Sequence, residues 1–114
     1  MIKRREEVQQ VLTSFFQNKP EARQSVLNRL RKLRKQFENS HFFQRHECIG
    51  SSLLIVHGAR SAGVWMIDFA KTLPVPEHIE IDHRRPWKKG NHEDGWLFGL
   101  DNLISVMEDI NRLA

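Results

Sequence analysis

The stretch VWMIDFAKT, from Val64 to Thr72, decides the fold of this chain because it joins an apolar strand to a charged end. Its first residues are β-branched, aromatic or otherwise apolar, which is typical of a buried strand. Asp68 ends the run, and a carboxylate is costly to bury unpaired, so it is expected either to pair with a cation or to hold a metal. Three extended residues span at most about 10 Å, so Lys71 can reach a phosphate beside that metal. The stretch therefore predicts a phosphate and metal site at a strand end.

The segment before this stretch is predicted to form an antiparallel hairpin with it. Residues Cys48–His57 (CIGSSLLIVH) have the composition of a strand, a glycine-containing turn follows, and Val64–Phe69 forms the partner strand. Pairing outward from the turn sets early residues of one strand against late residues of the other. Ser51 and Ser52 are therefore expected near Asp68, although ordinary strand-end hydroxyls remain the alternative interpretation.

Helical periodicity marks the rest of the chain. A first amphipathic helix is followed by a second, which begins near Pro20 and ends at Asn39–Ser40, and Phe42 and Phe43 are expected to fill the core. Residues 70–90 form a long irregular segment, and a last helix follows a capping arrangement that includes Asp94. The predicted fold class is α+β, with two N-terminal helices, an antiparallel β-hairpin, a long loop and a C-terminal helix. The apolar stripe of the first helix is Val8, Val11, Leu12, Phe15 and Phe16, and that of the last helix is Trp96, Leu97, Leu100, Leu103, Ile104, Met107 and Ile110.

Charge is distributed unevenly along the 114 residues, which are enough for one small domain. The net charge is +4, but residues 1–47 carry 11 basic and 5 acidic side chains. Such a front half attracts anions, whether nucleic acid, an acidic membrane surface or a small polyphosphate. On the second helix this excess is either an ordinary solvated surface or a contact for an acidic ligand or partner. The cations concerned are Arg23, Arg29, Arg31, Lys32, Arg34 and Lys35.

The cysteine content, the hydropathy and one basic cluster bear on where the protein is located and on what it binds. Cys48 is the only cysteine, which excludes an internal disulfide and a zinc cluster, and no apolar run approaches the roughly 18 residues of a membrane span. We therefore expect a cytoplasmic protein without a transmembrane segment. His83–Trp87 (HRRPW) is a basic cluster beside an aromatic residue; Trp87 either anchors the loop on the core or contacts phosphate or nucleic acid. Nucleic acid is not expected as a partner, because no recognised binding motif accompanies the charge.

Three motifs, in this order, carry a resemblance to a known family: GSSLLIVH, VWMIDFAKT and HRRPWKKGNHEDGWLFGLDNL. The chain resembles the C-terminal part of the inositol polyphosphate kinases, and most closely the inositol 1,4,5-trisphosphate 3-kinases. The resemblance covers nearly the whole chain, because the two preceding helices are also similar to that family. Lys71 and the HRRPW block resemble the 3-kinases, whereas related kinases usually carry histidine at the position of Lys71.

The resemblance implies transfer of the ATP γ-phosphate to the 3-hydroxyl of inositol 1,4,5-trisphosphate, with Mg²⁺ as cofactor. By its match to the family, Asp68 is expected to hold Mg²⁺ against the ATP phosphates. Lys71 matches the lysine that contacts a phosphate of the inositol substrate. Ser51 and Ser52 match serines that line the catalytic centre. Phosphoryl transfer of this kind depends on positioning and on neutralising phosphate charge.

The resemblance also implies parts that this sequence does not contain. The ATP-binding N-terminal lobe and the segment that supplies the catalytic aspartate are expected before residue 1, so residues 1–114 are interpreted as a partial catalytic domain. A fragment of this kind is expected to be inactive alone. The alternative is a catalytically inactive stand-alone interaction module, whose basic helical face binds an acidic partner or anionic lipid.

Overall fold

The N-terminal half is helical. The computed structural model describes residues 2–17, 19–58, 61–68 and 71–113. Helix α1 (Ile2–Phe16) and helix α2 (Pro20–Glu38) have nearly the bounds that the periodicity predicts, and Pro20 lies in the first turn of α2, where a missing N–H costs nothing. A short helix that the sequence did not indicate, α3 (His41–Gln44), follows at once and is capped by the Ser40 hydroxyl, which accepts a hydrogen bond from the Phe43 N–H at 3.3 Å.

Two small antiparallel sheets follow α3. Strand β1 (His46–Cys48) pairs with β4 (Thr72–Pro74), and β2 (Ser52–His57) pairs with β3 (Ala62–Ile67). The predicted continuous strand Cys48–His57 is therefore wrong between Cys48 and Ser52. Gly50 adopts φ +77, a left-handed conformation that ends one ladder before the next begins. Phe69, the predicted last residue of the partner strand, lies outside the described residues.

Helix α4 (Trp96–Leu113) completes the fold and confirms the predicted C-terminal helix. Its start is capped by Asp94, whose carboxylate accepts a hydrogen bond from the Trp96 N–H at 2.9 Å. The stripe of apolar residues that faces α2 is buried, and the inner face of the β2–β3 hairpin packs against the same core. No helix in these described ranges is long and apolar enough to cross a membrane. The core is formed by Phe16, Ala22, Val26, Leu27, Leu30, Phe37, Cys48, Leu97, Leu100, Ile104 and Met107.

The aromatic residues after α2 close one end of this core. The Phe37 ring stacks between Phe43, at 4.1 Å, and Trp96, at 4.5 Å, measured between ring centroids. Phe43 therefore fills the core as predicted, whereas the Phe42 side chain is half exposed and stacks on His46. The α+β class and the predicted order of the main elements are confirmed.

Candidate functional site

The end of the hairpin brings the predicted site residues together. Ser52 pairs with Ile67 in the β2–β3 ladder, so the residues just beyond this pair, Ser51 and Asp68, lie opposite each other. The Ser51 hydroxyl donates a hydrogen bond to the Asp68 carbonyl oxygen at 3.4 Å. The predicted proximity of the serines to Asp68 is thus confirmed, and it follows from the register of the hairpin.

Asp68 is the first residue after β3. The residue is exposed and adopts φ +66, in the left-handed region that aspartate tolerates better than most residues. Within residues 2–17, 19–58, 61–68 and 71–113, the carboxylate has no ion pair and no hydrogen bond to another side chain. The protein cation that the sequence offered as one alternative is therefore not found there. An exposed carboxylate at a strand end is able to accept a divalent cation.

Lys71 approaches the same joint from the other sheet. Its carbonyl oxygen accepts a hydrogen bond from the Ile49 N–H at 3.3 Å, which extends the β1–β4 ladder by one bond. A Cβ built on Gly50 would lie 3.9 Å from Lys71 Cδ, so the stem of the lysine passes beside the glycine. The ammonium side chain is exposed. The joint between the two sheets therefore presents hydroxyls, a carboxylate and an ammonium group within a few residues of one another.

Ser52 differs from Ser51 in its surroundings. It is exposed on the outer face of β2, opposite Ile67, and among the described residues its hydroxyl has no hydrogen bond. Both serines thus lie at the Asp68 end of the hairpin, and in the described part of the chain the Ser51 hydroxyl bonds to the Asp68 backbone.

The donor set of the joint fits a hard cation with a phosphate ligand. Mg²⁺ prefers oxygen ligands and is commonly bound through one or two carboxylates, with the remaining positions taken by water and substrate phosphates. Asp68 offers one such carboxylate, and Lys71 offers a mobile positive charge of the kind that binds phosphate. The residues present therefore fit Mg²⁺ bound together with a phosphate ligand.

A second polar cluster lies buried behind this joint. His83 Nδ1 bonds to the Asp94 carboxylate at 2.7 Å, and His83 Nε2 bonds to the Phe43 carbonyl oxygen at 2.6 Å. The second carboxylate, Glu93, accepts hydrogen bonds from the N–H groups of Asp82 and His83. Sequence reasoning assigned only a capping role to Asp94 and missed the burial of His83 and Glu93. No local signal in the sequence marks this burial, because acidic residues and histidine are common in exposed segments.

The hydrogen bonds of the cluster set its charge state. Burial by itself lowers the pKa of His83, but the hydrogen bonds to Asp94 and to the Phe43 carbonyl outweigh it, and the pKa is raised above 6.5. Burial by itself raises the pKa of Asp94, but hydrogen bonds from His83 and from two backbone N–H groups hold it below 3.8. Burial and the Asp94 charge raise the pKa of the Cys48 thiol to about 12.

Cys48, His83 and Asp94 have the spacing of metal ligands but are satisfied without a metal. Their potential ligand atoms all lie within 4.8 Å of one another. Both ring nitrogens of His83 are engaged with protein acceptors, and the Cys48 thiol stays neutral, so neither offers the free lone pair that a metal needs. The cluster is an ion pair within the core.

The arginines of the HRRPW block form ion pairs, whereas its tryptophan does not pack on the core. The guanidinium of Arg84 bonds to Asp101 at 2.7 Å and to Glu38 at 2.8 Å, and Arg85 pairs with Asp82 at 3.2 Å. Trp87 is 69% exposed, so the prediction that it anchors the loop on the core is wrong. The loop is instead held by hydrogen bonds of its acidic and amide side chains. The two arginines before Pro86 form ion pairs, and the two lysines after it have none among the described residues.

The basic face of α2 is partly neutralised by α4. Arg31 pairs with Glu108 at 2.7 Å and Arg34 pairs with Asp101 at 3.2 Å. Arg23 is buried and donates to the Asn111 side chain at 2.6 Å. The remaining cations of this face are exposed and have no ion pair within the described part of the chain: Arg29, Lys32 and Lys35.

Comparisons with known proteins place these features in a family context. A family model described as inositol polyphosphate kinase matches residues 2–108. Inositol-trisphosphate 3-kinase A of Rattus norvegicus is 52% identical over 107 residues, which cover 93% of this chain and 23% of that protein. The inositol-trisphosphate 3-kinase homolog of Caenorhabditis elegans is 44% identical and covers 90% of this chain and 22% of its own length. Inositol-trisphosphate 3-kinase B of Homo sapiens is 42% identical over 98% of this chain and 12% of its own length. The chain thus spans less than a quarter of the length of these curated relatives.

Proposed function

Since this chain belongs to the inositol polyphosphate kinase family, we propose that it forms the C-terminal part of the catalytic domain of an inositol 1,4,5-trisphosphate 3-kinase. In this proposal the whole enzyme transfers the γ-phosphate of ATP to the 3-hydroxyl of inositol 1,4,5-trisphosphate. The observation that carries it is the meeting of Ser51, Asp68 and Lys71 at the joint between the two sheets. Their chemistry suits a charged phosphate substrate and the cation that accompanies it.

Each residue has a role that agrees with its surroundings. Asp68, exposed at the end of β3, holds Mg²⁺ against the phosphates of ATP. Lys71, exposed beside Gly50, contacts a phosphate of the inositol substrate. Ser51 and Ser52 line the catalytic centre; the Ser51 hydroxyl bonds to the backbone of Asp68 and so supports the conformation of that residue.

The described residues supply binding and orientation. When bound, Mg²⁺ neutralises the phosphate charge that builds up during transfer. The Ser51 hydroxyl bonds to the backbone of Asp68, and the Ile49 N–H bonds to the backbone of Lys71. The backbones of both residues are thus held by hydrogen bonds, and both residues are exposed to a ligand.

The remaining catalytic groups come, in this proposal, from segments outside this sequence. The support is that the chain covers 23% or less of the relatives, and that no second carboxylate stands at the joint among the described residues. The positioning of two reactants contributes on the order of 7–11 kcal/mol to a barrier, so this chain alone should not catalyse transfer at a useful rate. We propose that the whole enzyme is cytoplasmic, and the free thiol of Cys48 in this chain agrees with a reducing compartment.

Calorimetric titration of the purified chain tests the proposed site. We expect the chain to bind Mg-ATP and, separately, inositol 1,4,5-trisphosphate. Asp68→Asn should weaken Mg-ATP binding by about tenfold or more, and Lys71→Ala should weaken inositol trisphosphate binding similarly, since a charge-assisted contact contributes about 1.5–3 kcal/mol.

Matched controls separate this site from general electrostatics. Glu80→Gln and Lys89→Ala remove exposed charges of the same sign away from the joint and should leave both affinities unchanged. Equal losses in the control and site variants would rule out a localised site. Binding of neither ligand by a folded chain would count against a preformed half-site.

The alternative, an inactive interaction module, depends on the basic face of α2. Arg29, Lys32 and Lys35 are the cations of that face that remain exposed without a described ion pair. Their substitution to alanine would abolish binding to vesicles that contain anionic lipid if the module interpretation is correct. The kinase proposal predicts that the same triple variant retains its affinity for Mg-ATP.

A further inference from the structure

The buried pair of His83 and Asp94 links separate parts of the chain. The side chains of the two residues are 4% and 3% exposed, and the pair bonds outward in three directions. His83 Nε2 bonds to the carbonyl oxygen of Phe43 in α3, at 2.6 Å. The Asp94 carboxylate accepts hydrogen bonds from the Cys48 N–H in β1, at 2.6 Å, and from the Trp96 N–H in α4, at 2.9 Å. One ion pair thus joins α3, β1 and the start of α4.

A short path connects this pair to the candidate site. Cys48, whose N–H bonds to Asp94, pairs with Thr72 in the β1–β4 ladder. The next residue, Ile49, donates its N–H to the carbonyl oxygen of Lys71. Gly50 then passes beside the Lys71 stem, and Ser51 bonds to the backbone of Asp68. The four residues from Cys48 to Ser51 therefore each lie against Asp68, Lys71 or the residue next to Lys71.

We propose that Asp94 and His83 are positioning residues that hold β1 in place and thereby fix Lys71 and Ser51 at the candidate site. The inference rests on the proposed function for what that site binds, but the structural coupling itself can be measured without a substrate. This positioning role is broader than capping by Asp94, because a cap would stabilise the start of α4 alone.

Both members of the pair must be charged for this arrangement. His83 Nδ1 faces a carboxylate and Nε2 faces a carbonyl oxygen, so both nitrogens carry hydrogen and the ring is an imidazolium. The other groups around the ring are the Glu93 carboxylate, the neutral Cys48 thiol and the edge of the Phe37 ring, at 4.7 Å between centroids. The Glu93 carboxylate in turn pairs with the Arg85 guanidinium at 3.9 Å, so Asp94 is the carboxylate that bonds directly to the imidazolium.

An amide cannot replace the Asp94 carboxylate. Oδ2 accepts from the Cys48 N–H and from His83, while Oδ1 accepts from the Trp96 N–H and is 2.9 Å from His83 Nδ1. An asparagine side chain has one oxygen, so its NH₂ group, which is itself a donor, would face the donors that bond to either Oδ1 or Oδ2 in wild type. Asp94→Asn is therefore expected to release either β1 or α4, and it also removes the counter-charge of His83.

Amide hydrogen exchange by NMR on the full chain tests the coupling. In wild type, the protection of the Ile49 N–H should fall about tenfold or more as pH rises far enough to deprotonate His83, and the Lys71 and Ser51 amide shifts should follow the His83 ring shifts. Asp94→Asn should produce the same loss of protection at a pH where wild type is protected. Because the wild-type titration needs no variant, a variant that fails to fold does not end the test.

The pair of His92 and Glu47 offers a matched control. His92 Nδ1 lies 3.0 Å from Oε1 of Glu47, which belongs to the same strand β1. This pair is partly exposed, and among the described residues neither side chain bonds to the β1 backbone. His92→Gln should therefore leave the protection of Ile49 and the shifts of Lys71 unchanged.

The outcomes distinguish this inference from the kinase proposal. Unchanged Ile49 protection and Lys71 shifts, both through the wild-type titration and in a folded Asp94→Asn variant, would overturn the positioning role. A tenfold loss in His92→Gln as well would overturn it too, because any change on β1 would then suffice. Clear coupling in a chain that fails to bind Mg-ATP or inositol trisphosphate would support the positioning role and count against the proposed function.

Discussion

At the residue scale, the joint and the buried cluster each contain one described residue other than glycine with a left-handed backbone. Four described residues other than glycine have positive φ: Gln17, Asp68, His83 and His92. Such conformations cost about 1–3 kcal/mol each and persist only where other contacts determine them. His83 is fixed by its ring contacts and by its N–H bond to Glu93, and Asp68 by the end of the ladder and the Ser51 hydroxyl. The Ser51 hydroxyl therefore supports the left-handed conformation of the residue that the proposed function assigns to the metal.

A single hydroxyl next to the site is buried without a partner. Among the described residues, Thr72 Oγ1 is the buried side-chain atom that lacks a hydrogen bond. Such a group costs about 1–3 kcal/mol, so Thr72→Val, which keeps the shape, should raise the free energy of unfolding by about 1 kcal/mol. Urea denaturation monitored by circular dichroism measures this. Thr13→Val is the control, because the Thr13 hydroxyl is exposed and bonded to the Gln9 carbonyl; a gain there as large as at Thr72 would contradict the argument.

The pH dependence of stability follows from the His83–Asp94 pair. The folded pKa of His83 lies above 6.5, so its contribution is fully present below pH 6.5 and is lost as pH rises through the folded value. The folded pKa of Asp94 lies below 3.8, so its contribution is present above pH 3.8 and is lost as pH falls through the folded value. The pair therefore stabilises the fold most between these two ordinary values.

Thermal unfolding as a function of pH checks this expectation. Wild type should lose stability above pH 6.5, and His83→Gln should flatten that part of the curve. His92→Gln should retain it. A wild-type stability that is constant from pH 6 upward would show that His83 is not protonated in the fold.

At the element scale, the contact between α2 and α4 combines an apolar stripe with a row of ion pairs. The ion pairs have half-exposed partners, as in Arg31 and Glu108, at 42% and 47% exposure of the side chains. Exposed pairs of this kind contribute about 0–1 kcal/mol, whereas burial of a leucine side chain contributes about 1.5–3 kcal/mol. The apolar stripe therefore contributes most of the stability of this contact. The ion pairs mainly determine which cations of α2 remain free to bind an anionic partner.

Two adjacent residues on α2 allow the effects of apolar burial and of ion pairing on stability to be measured separately. Leu30 is fully buried and Arg31 is exposed and paired with Glu108. Leu30→Ala should lower the free energy of unfolding by about 2–5 kcal/mol, because it removes buried methyl groups and leaves a cavity. Arg31→Ala should cost less than about 1 kcal/mol. Chemical denaturation of both variants decides the point, and similar losses would mean that the ion pair matters more than its exposure suggests.

At the scale of the whole molecule, the chain exposes more surface than an autonomous domain of its mass. Its accessible surface is 7832 Å² for 13.5 kDa, compared with roughly 6,500 Å² expected for a monomer of that size. Its radius of gyration is 15.4 Å, compared with about 13 Å expected. Part of the excess is apolar: Leu54, Val56 and Trp65 on the outer face of the hairpin are about half exposed, as are Val8 and Phe15 on α1. This distribution is consistent with the proposal that further protein covers the hairpin.

The outer face of the hairpin, formed by Leu54, Val56 and Trp65, should promote self-association of the isolated chain. Leu54 pairs with Trp65 across the strands, and the Trp65 ring folds over Gly63, the partner of Val56, so the apolar side chains form one patch. Sedimentation at rising concentration should detect association in wild type and a reduction in the double variant Leu54→Thr and Val56→Thr, which retains β propensity.

Leu73→Thr is the matched control, since Leu73 is a half-exposed leucine on β4, in the other sheet. It should associate like wild type. A wild-type chain that remains monomeric at high concentration, or a control that dissociates as fully as the double variant, would contradict a role for the hairpin patch.

The sequence by itself determined the three long helices, the hairpin and the proximity of Ser51 to Asp68. Helical spacing located α1, α2 and α4, and strand pairing outward from the turn placed Ser51 beside Asp68, because periodicity and register are properties of neighbouring residues in the chain. The roles of the site residues stay predictions. The sequence missed the short strands β1 and β4, since three residues are too few to show a period.

Only the tertiary structure decided which polar groups are buried and which cations are neutralised. His83 lies in the core and Trp87 in solvent, the reverse of what their hydrophobicity suggests. The six cations of α2 look alike in sequence, yet those that face α4 have partners, and the others have none within the described part of the chain. The physical reason is that the burial and charge environment of a side chain depend on elements that are distant in the chain, and a local pattern contains no information about which of them becomes its neighbour.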